Sequence, residues 1–155
     1  GGKVMSKSTL ILYHTIRAGM TKQMADAVAE GVTGEGVAAV VKSIRDVSFD
    51  EVVAADGIAL GTPQPFGSIS GAMKQFFEDN WSQHERVTGK PAVWFVKSSR
   101  GADLGIATMD KICGHYGLEK VADAVGAADV TDEVLGACRA LGKALAVRVN
   151  QLQTV

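Results

Sequence analysis

The residues of this chain best suited to chemistry lie between Leu10 and Thr21, in the run LILYHTIRAGMT. Thr15 and Thr21 offer hydroxyl donors, Arg17 offers a guanidinium suited to bidentate anion contact, and Gly19 frees the backbone between them. Leu10, Ile11, Leu12 and Tyr13 form a short apolar run of the kind that suits a strand buried on both faces. A polar loop, His14 to Met20, follows it. Thr21 then opens a segment with Met24, Ala25, Val28 and Val32 at helical spacing, and is the expected N-cap. A strand, a short loop and a helix N-terminus together make an anion site, because unpaired backbone N–H groups face outward behind the positive end of the helix dipole. A phosphate is its natural guest.

Positioning that loop requires a sheet, and the rest of the chain supplies one. Val37 to Val41 reads as a second buried strand, and Ser48-Phe49-Asp50-Glu51 has capping-box spacing for a short helix through Ala55. Ile58 to Leu60 is a third strand ending at Gly61, followed by a proline-rich loop, Thr62 to Ser68. Met73, Phe76, Phe77 and Trp81 recur at helical spacing from Ser70 onward. Pro91 leads into Ala92 to Val96, the clearest strand of the chain, and Ser98 to Gly105 is a second glycine-bearing loop. Ile106, Met109, Ile112, Cys113 and Tyr116 mark a helix that Gly117 ends, and Val121 to Val125 a short fifth strand. Thr131 caps a last helix with Val134, Cys138, Leu141, Leu145 and Val149 on one stripe. Five strands alternating with helices imply parallel βαβ units with helices on both faces, and ligands beyond the carboxyl ends of the strands. The loops after strands one, three and four are then the candidate site.

Composition narrows the function. The 155 residues are the size of one domain, expected over residues 5–155, with residues 1–4 a leftover of cloning. With 46% hydrophobic and 21% charged residues the balance is that of a globular protein. A formal net charge of −1 gives no electrostatic case for nucleic acid or an anionic membrane. No run approaches the roughly 20 apolar residues of a membrane helix, and the N-terminus lacks a signal-peptide core, so a cytoplasmic location is expected. Cys113 and Cys138 fall on apolar helix stripes and read as core residues.

Three open α/β families fit the outline poorly. The loop after strand one holds a single glycine, not Gly-x-Gly-x-x-Gly, and the chain has no Gly-x-x-x-x-Gly-Lys-Ser/Thr run. His14 and Gly61 end strands one and three where a receiver domain would carry acidic residues.

The chain instead resembles the flavodoxin-like family over nearly its whole length. Gly19 and Thr21 match the end of that family's Ser/Thr-x-Thr-Gly-x-Thr loop, and Lys22 to Gly31, KQMADAVAEG, is similar to the helix that follows. The family's second hallmark, a Gly-Ser/Thr-Pro run, an aromatic-Gly pair and an MKxFxD helix, is matched by Gly61-Thr62-Pro63-Gln64-Pro65-Phe66-Gly67-Ser68 and by Met73 to Asp79. Ser98-Ser99-Arg100-Gly101 resembles the family's flavin-edge loop. The resemblance implies a three-layer sandwich around a five-stranded parallel sheet of order 2-1-3-4-5, and it implies FMN as cofactor. FMN phosphate would sit on Thr15, Ile16, Arg17, Ala18, Gly19, Met20 and Thr21. The isoalloxazine ring would lie between Pro63, Gln64, Pro65, Phe66 and Gly67 on one side and Ser98, Ser99, Arg100 and Gly101 on the other. Ile16 and Ala18 stand where the family has hydroxyls, and Gln64 and Pro65 depart from the Pro-Thr-Arg-Phe/Tyr-Gly pattern of its quinone-reductase branch.

The family resemblance leaves three functions open: an electron carrier served by a redox partner protein, an NAD(P)H-dependent FMN or quinone oxidoreductase, and a flavin-free binding or regulatory domain. Phe66 suits either a ring face or loop packing, and Arg100 either the flavin's pyrimidine edge or solvent. His14 suits either ligand contact or packing. His115 lies near where some family members place a site histidine, and equally suits a helix C-terminus. Phe77, Trp81 and His84 suit a homodimer contact or core.

Overall fold

Three apolar runs decide the architecture, and a computed structural model of residues 6–16 and 19–152 shows how they are used. Leu10 to Leu12, Ile58 to Leu60 and Ala92 to Val96 are buried on both faces in strands β1 (Ser8–Tyr13), β3 (Gly57–Pro63) and β4 (Pro91–Lys97). With β2 (Ala38–Ser43) and the paired segments β5 (Glu119–Lys120) and β6 (Val125–Ala127) they build a parallel sheet, ordered β2-β1-β3-β4-β5, with β6 also on β4. This is the expected 2-1-3-4-5 order.

Alternation along the central strands divides the core in two. Leu10, Leu12, Ile58, Leu60, Trp94 and Val96 face one layer, which holds α2 (Phe49–Ala54), α3 (Gly71–Asp79) and α4 (Asp103–His115). Ile11, Ala59, Val93 and Phe95 face the other, formed by α1 (Met20–Thr33) and α5 (Asp132–Asn150). Helices α1 and α5 meet backbone to backbone. A Cβ on Gly31 would lie 1.9 Å from the Arg139 carbonyl oxygen, and one on Gly142 would lie 1.9 Å from that of Val28. Only glycine fits at either position.

Several helix ends follow the sequence. Ser48 and Glu51 form the reciprocal capping box of α2, and the Thr131 hydroxyl accepts from the Val134 N–H to start α5. Gly117, at φ +69°, follows the end of α4.

Four boundaries differ. The N-cap of α1 is Gly19, not Thr21, which sits buried inside the first turn with its side chain making no capping bond. β2 is an edge strand rather than a buried one. Its Ala39 and Val41 pack on the α1 layer while Val40 is 46% exposed, because no helix covers its other face. The fifth strand is not Val121–Val125. It pairs at Glu119–Lys120, continues through a Val121 N–H to Ala92 carbonyl bond of 3.0 Å, and re-forms at Val125–Ala127, so most of the expected span is the interruption. The loop after β4 is also shorter than Ser98–Gly105: α4 begins at Asp103, and Gly105 lies in its first turn. No helix among the described residues is long and apolar enough to cross a membrane.

Candidate cofactor site at the carboxyl edge of the sheet

At the end of β1 the ladder runs one residue past the strand, where the His14 N–H donates to the Gly61 carbonyl at 2.9 Å. The chain turns at Gly19, with φ +73° and ψ 24°, a left-handed conformation that glycine adopts without strain. A Cβ there would meet nothing within 4 Å, so backbone conformation and not crowding requires glycine. The first turn of α1 has no side-chain cap and no acidic residue, which leaves the positive end of its dipole uncompensated. Two side-chain atoms of this loop, Thr15 Oγ1 and His14 Nδ1, are buried without a hydrogen-bond partner among the described residues. Such an atom ordinarily finds a partner in protein or ligand. Burial, and then the nearby Arg45 guanidinium, hold the His14 imidazole below its usual pKa and so favour its neutral form. Arg17 and Ala18, the other two residues expected at the phosphate, lie outside the described residues.

The loop after β3 is fastened from behind. Thr62 Oγ1 donates to the Pro63 carbonyl at 2.8 Å and accepts from the Ser70 N–H at 3.0 Å, while Ser70 Oγ caps α3 through the Met73 N–H. Thr62 and Pro63 therefore belong to β3 and its anchor, and the free part of the loop is the tight turn Pro65–Gly67. Phe66 is the single described non-glycine residue at positive φ (54°), and its ring is fully exposed. Phe66 thus holds a conformation that aromatic residues disfavour while its ring makes no packing contact that would explain it.

The loop after β4 folds around Ser98, whose N–H donates to the Ala127 carbonyl at 2.8 Å and whose own carbonyl accepts from the Gly101 N–H at 3.2 Å. Ser98 Oγ also accepts from the Arg100 N–H at 3.3 Å. Gln64 joins this loop to the preceding one. Its Nε2 donates to the Gly101 carbonyl at 2.8 Å and lies 3.4 Å from Ser98 Oγ; its Oε1 accepts from the Gly105 N–H at 2.7 Å.

The three loops enclose two adjoining clefts. One, about 410 Å³, is lined by Ile16, Met20, Thr21, Pro63, Gln64, Pro65, Lys97, Ser98 and Ser99. The other, about 830 Å³, is lined by Gln64, Phe66, Gly67, Ser98, Ser99, Arg100, Gly101, Asp103 and Leu104. They meet at Gln64, Ser98 and Ser99, and both fall in the size range of small-molecule and cofactor sites. The described candidates thus converge on one edge of the sheet. Lys97, Asp103 and Leu104 line the clefts as well; Asp103 and Leu104 lie within the expected Ser98–Gly105 loop but were not singled out, and Lys97, at the end of β4, lies outside it. The acidic Asp103 in the first turn was a sequence signal that α4 begins inside that loop.

Other candidates lie elsewhere. His115 sits in the last turn of α4, roughly 18 Å along that helix from the clefts, beside Trp81 and Tyr116. Phe77 is buried in the core, and Trp81, 46% exposed, stacks on His84 at 4.1 Å. Cys113 and Cys138 are both buried, as expected of core residues, and burial pushes the Cys138 thiol up to about 11.

No protein-family model matches the chain. Among known proteins it is 32% identical to a flavodoxin of Aquifex aeolicus over 164 residues, covering 88% of this chain and 84% of the relative. It is 28% identical to an NAD(P)H dehydrogenase (quinone) of Acidithiobacillus ferrooxidans, covering 70% of this chain and 67% of that one. Its fold superposes on the flavodoxin, WrbA-like protein from Agrobacterium tumefaciens with a TM-score of 0.84 and 25% identity, over 96% of this chain and all of that one. Sheet order, loop placement and sequence agree: the chain belongs to the flavodoxin-like family.

Proposed function

We propose that this chain binds FMN at the carboxyl edge of its sheet and serves in electron transfer. The observation that carries this reading is the buried, unpartnered Thr15 Oγ1 in a loop that ends at an uncapped helix N-terminus. A phosphate satisfies both at once.

In this reading Thr15, Arg17 and the backbone of Ile16 to Thr21 hold the phosphate, and Thr21 lines the same cleft. Ile16 and Ala18 supply no hydroxyls, a loss of about 1.5–3 kcal/mol for each hydrogen bond to the charged phosphate, which the Arg17 guanidinium offsets. Pro63 to Gly67 and Ser98 to Gly101 flank the ring, with Phe66 free to cover a face of it. Bound FMN supplies one- and two-electron chemistry that no side chain offers. The residues around it orient the ring and limit its contact with water.

The relatives divide between a flavodoxin and NAD(P)H dehydrogenases (quinone), so the electron partner is either a redox protein or a nicotinamide–quinone pair. The NAD(P)H dehydrogenase (quinone) relatives favour adding the second reading, an NAD(P)H-dependent FMN or quinone oxidoreductase. We place the protein in the cytoplasm as one domain over residues 5–155. A homodimer formed through Trp81 and its neighbours belongs to the oxidoreductase reading.

An absorbance titration of the purified protein with FMN tests the proposal. Saturable shifts of the flavin bands are expected. No spectral change at micromolar protein and FMN contradicts the proposal. Stopped-flow mixing of the FMN-loaded protein with NADPH and a quinone then separates the two readings, since only the oxidoreductase turns over without a partner protein.

A further inference from the structure

Helix α4 starts without a cap of its own. Its N-cap residue, Ala102, has no side chain that can accept a hydrogen bond, and the Gly105 N–H, third in the helix, is satisfied from outside by Gln64 Oε1 at 2.7 Å. The other end of the same amide donates to the Gly101 carbonyl at 2.8 Å. Gln64 therefore does the work of an N-cap serine from a loop 41 residues earlier, and holds Gly101, the last residue of the proposed ring-edge loop, with its second hand. Among the described residues, no other side chain hydrogen-bonds across these two loops. The site is close-packed: a Cβ on Gly105 would lie 3.0 Å from Gln64 Oε1 and 2.8 Å from Val96 Cγ1. Gln64 lies between β3 and the turn that carries Phe66, so its anchorage also fixes where that turn departs.

We propose that Gln64 is the positioning residue of the flavin site: its amide holds the loop after β3 and the loop after β4 at a fixed separation and so sets the affinity for the ring half of the cofactor. This rests on the FMN reading. A methionine at the same position has similar length and flexibility but no hydrogen bonds, so it frees both loops with little change in volume. A glutamate keeps the acceptor for the Gly105 N–H but sets a carboxylate oxygen against the Gly101 carbonyl, so it frees one side only.

The test compares FMN with riboflavin, which has the ring and the ribityl chain but no phosphate, by flavin fluorescence with wild type, Gln64→Met and Gln64→Glu. Gln64→Met is expected to weaken both ligands by the same factor, about tenfold, leaving their affinity ratio at the wild-type value. The flavin absorption bands and the midpoint potential of the bound flavin are expected to shift as well. Gln64→Glu, which retains the helix cap, is expected to show the same equal loss. Wild-type affinity for both ligands in either variant overturns the assignment, as does a loss confined to FMN or an unchanged band shape and potential. If Gln64→Met fails to fold, Gln64→Glu decides alone by the same criteria. Failure of the wild-type protein to bind FMN is a different result and refutes the FMN reading itself.

Discussion

The two ends of the cleft are built on opposite terms. At the β1 end, Thr15 Oγ1 and His14 Nδ1 are buried without partners among the described residues, and the first turn of α1 is uncapped. At the β3–β4 end, the Gln64 amide, Ser98, Thr62 and Ser70 all have partners within the protein. One end leaves hydrogen-bonding capacity unused in the protein alone; the other spends it on holding its own walls in place. The difference teaches how such a site divides its labour. An anion is recognised by donors that wait for it, whereas a planar, mostly apolar ring is recognised by a slot whose walls are already set. The waiting end costs stability without ligand, because buried unsatisfied groups do.

This contrast breaks most visibly at Gly19. Gly19→Val forces a β-branched residue to φ +73° and shifts the cradle backbone. FMN affinity should fall about 100-fold, near 2.7 kcal/mol, while riboflavin affinity changes less than about threefold; parallel fluorescence titrations check this. Equal losses for the two ligands would mean that Gly19 shapes the whole site and not its phosphate end.

Thr15→Val sharpens the same point with an isosteric change. Loss of a hydrogen bond to a charged group should lower FMN affinity about tenfold, while the ligand-free protein gains up to about 1 kcal/mol by losing an orphaned hydroxyl. Chemical denaturation with and without FMN measures both. A less stable ligand-free protein would show that Thr15 Oγ1 has a structural partner.

At the ring end the signature differs. Phe66→Gly relieves about 1 kcal/mol of left-handed strain but enlarges the unfolded ensemble by a similar amount, so ligand-free stability should hold within about 0.5 kcal/mol. FMN and riboflavin affinities should fall together by about three- to tenfold, the worth of one aromatic contact. A loss of stability beyond 1 kcal/mol would make Phe66 a packing residue despite its exposure.

The smallest effect is electrostatic. His14 has a lower pKa folded than unfolded, so between the two values the unfolded chain binds more protons and stability rises with pH. The contribution is present above the ordinary histidine value of about 6.5 and is lost as pH falls below it. Denaturation midpoints of the ligand-free protein should therefore drop between about pH 7 and pH 5, and His14→Gln should flatten that slope. An unchanged slope would place the titrating group elsewhere.

How much of this was legible beforehand depended on the range of the interaction. β1, β3 and β4 are continuous apolar runs and could be read directly, as could the capping box at Ser48 and the cap at Thr131, which are local patterns. The fifth strand was misplaced because Val121 to Val125 carries the apolar signal, yet its pairing with β4 breaks within that span. Thr21 looked like a cap because its residue type favours one, but Gly19 turns the chain two residues earlier. The candidate loops were chosen from the strand–helix alternation, which puts ligands beyond the carboxyl ends of the strands, and the structure brings their described residues together at that edge. The Gln64 clasp was not legible, since it depends on backbone groups 37 and 41 residues away. The glycine contacts between α1 and α5 were missed for the same reason: spacing along one helix says nothing of the backbone it will touch.

The central claim is that the unsatisfied end of the cleft is a phosphate site, and a single comparison tests it most directly: the affinities of the wild-type protein for FMN and for riboflavin under one buffer condition. The phosphate contacts predict FMN binding at least about 100-fold tighter, near 2.7 kcal/mol. Equal affinity for the two, or riboflavin binding the tighter, would contradict the account.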